Sequence, residues 1–281
     1  MPRLLPDFTP IGRQFDREVD HMARQYPQTR VVPVTEVDLA HLPAPVARYL
    51  RRAGVVGRPR VHNFVVEMDA ELNRGPGEPW MQTPVLQVSV VEPPTRLFLL
   101  RTTMKGLPVS GLHQYDDSGA SMHIRLLGLL HLVDADGDAF TRAETVTVLN
   151  DFCILAPAVL IDRERFRWAT LADGRVHVTF TNGGRVVSAL LTFDDHGDLV
   201  NFVSDDRHAL DGDGDTWSTP LRAYHEFGGA RLASEGDAVW SYRDRPSWTY
   251  GRMYIRSVRY NVPADELPHA EQLTARYSPA R

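Results

Sequence analysis

Val61-His62-Asn63-Phe64-Val65-Val66-Glu67-Met68-Asp69-Ala70-Glu71-Leu72 is the stretch that decides the fold. Val61, Asn63, Val65, Glu67, Asp69 and Glu71 alternate with His62, Phe64, Val66, Met68, Ala70 and Leu72, and the second set is largely apolar. A period of two with one wet and one dry face predicts a half-buried strand. Downstream, residues 85–91, 96–103, 121–126 and 129–133 read as further strands, with proline- and glycine-bearing turns at 73–79 and 92–95 between them. Beyond residue 165, hairpins dominate. Segments 165–171 and 175–181 flank Ala172-Asp173-Gly174, and 185–194 and 199–204 flank Asp195-His196-Gly197-Asp198. Short Asp-Gly and His-Gly connections of this kind favour hairpins. Segments 217–227, 230–235, 238–242 and 253–261 supply the last strands.

Upstream of the deciding stretch the period is helical. Ile11, Phe15, Val19, Met22 and Tyr26 recur every three or four residues, and Pro27 ends the pattern. A second helix is predicted from about Pro45, burying Val46, Tyr49, Leu50 and Ala53 and stopping at Gly54. Arg48, Arg51 and Arg52 read as its solvated rim. Residues 144–152 predict a short central helix, and Pro157 bounds the apolar segment after it. The fold class expected is α+β, mainly antiparallel β: a large curved sheet or open barrel, with an N-terminal helix pair and a short central helix. Residues 1–58 form the helical segment packed on the sheet, 59–262 the β-rich domain, and 263–281 a polar, frayed tail. So many strands tend to curl, and a concave apolar face is the default binding site.

The chain has 281 residues, 43% of them apolar and 24% charged, enough for a full core. Its net charge is -5 and its pI about 6.1, which argues against nucleic acid or an anionic membrane as partner. Lys105 is the only lysine, so nearly every cation is an arginine fork. Cys153 is the only cysteine, which excludes an intrachain disulfide and a cysteine zinc site. The opening Met1-Pro2-Arg3-Leu4-Leu5-Pro6-Asp7 lacks a continuous apolar run, and no segment reaches the roughly 20 apolar residues that span a bilayer. A cytoplasmic protein without an integral membrane segment is expected.

Motif reading removes several chemistries. Asp211-Gly212-Asp213-Gly214-Asp215 and Asp134-Ala135-Asp136-Gly137-Asp138 resemble calcium loops, but Thr216 and Ala139 stand where glycine is needed, and Arg222 and Thr145 where glutamate is needed. His113, His123 and His131 lie in consecutive β segments without a metal-ligand pair motif. There is no Gly-x-Ser-x-Gly elbow, phosphate loop or Gly-x-Gly-x-x-Gly turn. Cys153, in Phe152-Cys153-Ile154-Leu155, reads as a buried inert thiol. No cofactor and no metal is called for.

Two groups of residues remain as candidates. Glu144 and Asp151, with Asn150, are polar groups in an otherwise apolar helix, where a desolvated carboxylate has acid–base use. Trp168, Tyr224, Trp240 and Tyr250, with Tyr115, supply aromatic area for an oily cavity, and Arg207 would fix a polar head group. The function expected is binding of a hydrophobic or amphipathic small molecule in the cavity of a curved sheet. An enzyme (a cyclase, isomerase or hydrolase) using Glu144, Asp151 and Arg207, and a structural or partner-binding module, are the alternatives. Oligomeric state is not legible.

Leu42-Pro43-Ala44-Pro45-Val46-Ala47-Arg48-Tyr49-Leu50 resembles the LPxPVxRYL opening of a family of bacterial proteins of unknown function. The resemblance continues through Gly111, Tyr115, Met122, Leu126-Leu127-Gly128-Leu129, Glu144, the segment 149–160 with Ala156-Pro157-Ala158, and Trp168. Arg207, Tyr224, Gly228, Trp240, Tyr250-Gly251 and the strand 255–260 complete it, so that it covers about residues 40–262. It implies no activity, cofactor or catalytic residue. The order of elements is similar to the open β-barrel of lipoprotein-localisation carriers and related lipid binders, which implies a fold and not a cargo.

Overall fold

The alternating stretch becomes β1 (Asn63–Leu72), paired antiparallel on both sides in a computed structural model that describes residues 10–25, 32–207 and 216–274. Twelve further strands join it: β2 (Met81–Val90), β3 (Thr95–Met104), β4 (Leu107–Asp116), β5 (Gly119–Leu126), β6 (Leu130–Ala135), β7 (Phe166–Thr170), β8 (Val176–Asn182), β9 (Arg185–Phe193), β10 (Leu199–Ser204), β11 (Thr216–Phe227), β12 (Ala230–Ser241) and β13 (Trp248–Tyr260). Among the described residues they form one curved antiparallel sheet in the order β6-β5-β4-β3-β2-β1-β13-β12-β11-β10-β9-β8-β7. The chain meanders from the centre to one edge and re-enters at the other. The crossover is the helix α4 (Asp138–Ile154), followed by a 3₁₀ turn at Pro157–Ile161. α4 packs on β4 and β5 from one half of the sheet and on β9 and β10 from the other, so it plugs the concave side.

The two faces have different coverings. Phe64, Val66 and Met68 of β1 join α4 and α3 (Ala44–Arg52) in the concave-side core. Val65, Leu86, Val88, Leu97, Leu99 and Leu112 point the other way, onto Ile11, Phe15, Val19 and Met22 of α1 (Pro10–Gln25). Strands covered on both faces read as near-continuous apolar runs, which is why 85–91 and 96–103 show little alternation.

α4 is buried nearly all round, polar residues included, because it is surrounded. Val146, Leu149 and Phe152 are each at most 1% exposed, and burial of such side chains contributes about 1.5–3 kcal/mol apiece. Its last turn leaves carbonyls that no helical N–H can reach. Tyr49 Oη donates to the Cys153 carbonyl at 2.8 Å, and Tyr260 Oη donates to that of Leu155. The Tyr49 of the Leu42–Leu50 motif is thus a tie between α3 and the plug.

Several boundaries differ from the sequence reading. α4 has 17 residues and is not short, since Gly137 at φ 90° turns the chain so that the helix begins at Asp138. β4 is a full strand although Pro108, Ser110 and Gly111 blur its pattern; pairing with β3 and β5 supplies what propensity does not. The segments 230–235 and 238–242 are one strand, continuous through Gly236, and β13 starts at Trp248. A one-turn helix, α2 (Glu36–Leu39), was not anticipated. Arg52 stays exposed like Arg48 and Arg51, as a rim residue should, but it is not idle: its Nε lies 2.6 Å from Asp198, which Arg231 also holds, so α3 is clamped to the β9–β10 turn and β12. The expected fraying after Val262 does not hold as far as Thr274: Leu267, and Leu273 of α5 (Ala270–Thr274), are buried in one cluster with the apolar stripe of α1. Tyr26, Pro27 and the loop 211–215 lie outside the described residues.

Candidate ligand cavity

Antiparallel register places three rows of inward side chains across β1–β5. Val66, Gln87, Phe98, His113 and Met122 form one row. Met68, Val85, Leu100, Gly111 and Ile124 form the row on one side of it, and Phe64, Ser89, Arg96, Tyr115 and Ala120 the row on the other. Above them, Glu144, Thr147, Asp151 and Ile154 follow one another at intervals of three or four along α4 and so share a face. Between this face and the sheet lies a half-enclosed cavity of about 310 Å³. Its far wall comes from β11–β13: Trp217, Leu221, Ala233, Ala238, Tyr250, Met253 and Ile255. The volume is at the small end of ligand sites, about 300–1,000 Å³.

The cavity is mostly oily; its polar groups cluster at α4, with Glu235 and Asp237 of β12, both paired with Arg222, also on its wall. Arg96 Nε donates to Asp151 Oδ2 at 2.7 Å, and Arg96 Nη1 lies 3.4 Å from Glu144 Oε2. Arg207 Nη2 lies 3.4 Å from the other Glu144 oxygen, and Arg207 Nε donates to Thr147 Oγ1 at 3.2 Å. Gln87 Nε2 donates to Asp151 Oδ2 at 2.7 Å, and Asn150 Nδ2 to Thr219 Oγ1 at 2.8 Å. Both guanidinium groups also lie over rings: Arg96 4.5 Å from Phe98, Arg207 4.7 Å from Trp217 and 5.5 Å from Trp240. Burial pushes the Glu144 carboxyl up, but Arg207 and Arg96 outweigh it and hold the group below the usual range. For Asp151 burial wins over Arg96 and Gln87, and its pKa is raised. Burial lowers His113 to about 4, so its ring is neutral at pH 7.

Of the candidates read from sequence, Glu144, Asp151, Arg207 and Tyr250 meet at this one cavity. Trp240 stands behind Tyr250, stacked on it at 6.2 Å, and touches Arg207. Three aromatic candidates lie elsewhere. Tyr115 Oη accepts from Asn182 Nδ2 at 2.8 Å and from Thr145 Oγ1 at 3.2 Å, pinning α4 and β8 to β4. Trp168 stacks on Phe166 near the β7 edge. Tyr224 donates to the Leu199 carbonyl at 2.7 Å beneath Arg231. Each has a structural task that uses its polar atom or ring face away from the cavity. The three strand histidines do not converge either: His113 faces the cavity, whereas His123 and His131 share Asp134 at 2.7 and 2.6 Å on the outside. Among the described residues no group of three metal-ligating side chains is placed to hold an ion.

Sequence reasoning missed Arg96, Gln87, His113 as a cavity residue, and Trp217. The signal was there for the first two. Each is a long polar side chain inside an apolar strand segment, in phase with neighbours that face inward.

A helix-plugged, open antiparallel sheet with a half-enclosed apolar cavity is the class of protein that this fold and site define. The chain belongs to DUF6544, a family of unknown function, whose pattern matches residues 32–253. No curated protein matches the sequence. Among solved structures it is similar to an outer membrane lipoprotein-sorting protein domain from Vibrio parahaemolyticus, at 10% identity and TM-score 0.43 over 71% of this chain and 85% of that one. It is also similar to a DUF1329 family protein from Desulfovibrio piger, at 10% identity and TM-score 0.46 over 78% and 92%. Among the described residues no helix is long and apolar enough to cross a membrane.

Proposed function

We propose that the protein binds a hydrophobic or amphipathic small molecule in the cavity beneath α4. The observation that carries this reading is the cavity itself: a pre-formed, half-enclosed apolar slot with a compact polar cluster at α4. Native mass spectrometry of the gently purified protein, before and after incubation with a total bacterial lipid extract, tests it. A one-to-one adduct released by denaturation is expected. A bare mass under both conditions overturns the reading. A cytoplasmic location is part of the same proposal, and cell fractionation checks it.

Acid–base catalysis in the same cavity is the second reading. One observation favours it: Glu144 and Asp151, bridged by Arg96, are pushed in opposite directions, Glu144 down by Arg207 and Arg96 and Asp151 up by burial. Conversion of a bound ligand by wild type, lost in Asp151→Asn with binding retained, is the result that supports it.

A further inference from the structure

We infer that the guest of this cavity carries an uncharged, hydroxyl-bearing head, received by His113, and is neither a fatty carboxylate nor an amine. The inference rests on the binding reading above and narrows it.

The first argument is charge. The polar end holds two guanidinium groups, Arg96 and Arg207, against two carboxyl groups, Glu144 and Asp151. A carboxylate guest would place a third acid group beside Glu144 and Asp151 in a water-poor space, and an ammonium guest a third cation beside the arginines. A buried charge without its own partner is strongly unfavourable. A neutral head leaves the balance untouched.

The second argument is hydrogen bonding. Among the described residues the His113 side chain makes no hydrogen bond, although it lines the cavity and its ring lies 5.5 Å from that of Phe98. A neutral imidazole has one N–H donor and one bare nitrogen acceptor. A hydroxyl also donates once and accepts, so the two are complementary in either tautomer. Gln87 adds to this demand. It lies two strands away in the same row, is 0% exposed, and its Oε1 has no partner. Its amide nitrogen is already committed to Asp151 and Ser89, so the open position is an acceptor that calls for a donor. A carboxylate guest supplies no donor.

A matched ten-carbon series separates the outcomes: decane, 1-decanol, decanoate and decylamine at pH 7.5, each followed by its displacement of an apolar naphthylamine dye from the full chain. Decanol is expected to bind at least tenfold more tightly than decanoate and decylamine. His113→Phe should reduce decanol affinity about tenfold while leaving decane affinity within twofold, a result that also shows the variant folded. Decanoate or decylamine binding as well as decanol overturns the neutral-head inference and leaves the cavity reading standing. Binding of decanol unchanged in His113→Phe removes His113 from the role. Failure of all four guests, decane included, overturns the cavity reading itself.

Discussion

Replacing Arg96 by methionine removes the cation that joins two buried carboxyl groups while keeping much of the side chain's volume. The consequences for the two partners differ. Glu144 retains Arg207 at 3.4 Å, whereas Asp151 retains only the Gln87 amide at 2.7 Å. Stripping one partner from a buried ion pair costs about 3–5 kcal/mol. Asp151 escapes part of this by taking a proton. An ordinary aspartate titrates near 4, so holding that proton at pH 7 costs about three pH units at ~1.36 kcal/mol each, or about 4 kcal/mol. At pH 5 the same step costs about 1.4 kcal/mol. Arg96→Met is therefore expected to lose about 3–5 kcal/mol at pH 7 and roughly half of that or less at pH 5. Urea unfolding followed by circular dichroism at the two pH values measures this directly. Adding Asp151→Asn to Arg96→Met should recover most of the pH 7 loss, a coupling that the double-mutant cycle isolates. A loss under about 1 kcal/mol, or one that is the same at both pH values, refutes a desolvated Arg96–Asp151 pair.

Three further outcomes are expected. His113 titrates at about 4 in the folded chain against about 6.5 unfolded, so the unfolded state binds its proton first; its contribution is present above pH 6.5 and lost as pH falls to 4. The difference in unfolding free energy between wild type and His113→Phe should shift by up to about 3 kcal/mol across that window, and a constant difference contradicts the burial of the ring. Gly228 has φ 54°, and a Cβ there would sit 2.6 Å from the Val258 carbonyl oxygen, so Gly228→Ala should lose about 2 kcal/mol or more, which a thermal melt reads. Cys153 is 0% exposed and burial pushes its thiol pKa up, so a disulfide reagent should label it only on unfolding; rapid labelling of native protein contradicts that placement.

How much of this was legible in the sequence depended on which physical signal each feature leaves. β1 announced itself because only one of its faces is fully dry. α3 did so through Pro45, its buried stripe and Gly54. Glu144 and Asp151 stood out as acids in an apolar helix, and the structure places both at one cavity. Arg96 and Gln87 passed unremarked because β2 and β3 are covered on both faces, so their polarity is visible in the pattern but the face it points to is not. Aromatic content told how much ring area there is, not where it lies. Tyr115, Trp168 and Tyr224 are spent on ties and stacks whose partners, such as Asn182, Phe166 and Leu199, are distant or unmarked in sequence. The length of α4 was hidden by an Asp-Gly run that reads as a turn and is in fact the helix entrance. Curvature is a property of the whole sheet and has no single residue to betray it.

The central claim is that the space under α4 is a receptacle. Ala238 lines it from β12, opposite Gly251, and is 5% exposed. The decisive measurement is a titration of wild type and Ala238→Phe with an apolar naphthylamine dye, alongside a melting curve for each. Occupancy of one site in wild type, reduced at least tenfold in a variant that still melts cooperatively, is the predicted result. Equal uptake by both, or none by either, would contradict it.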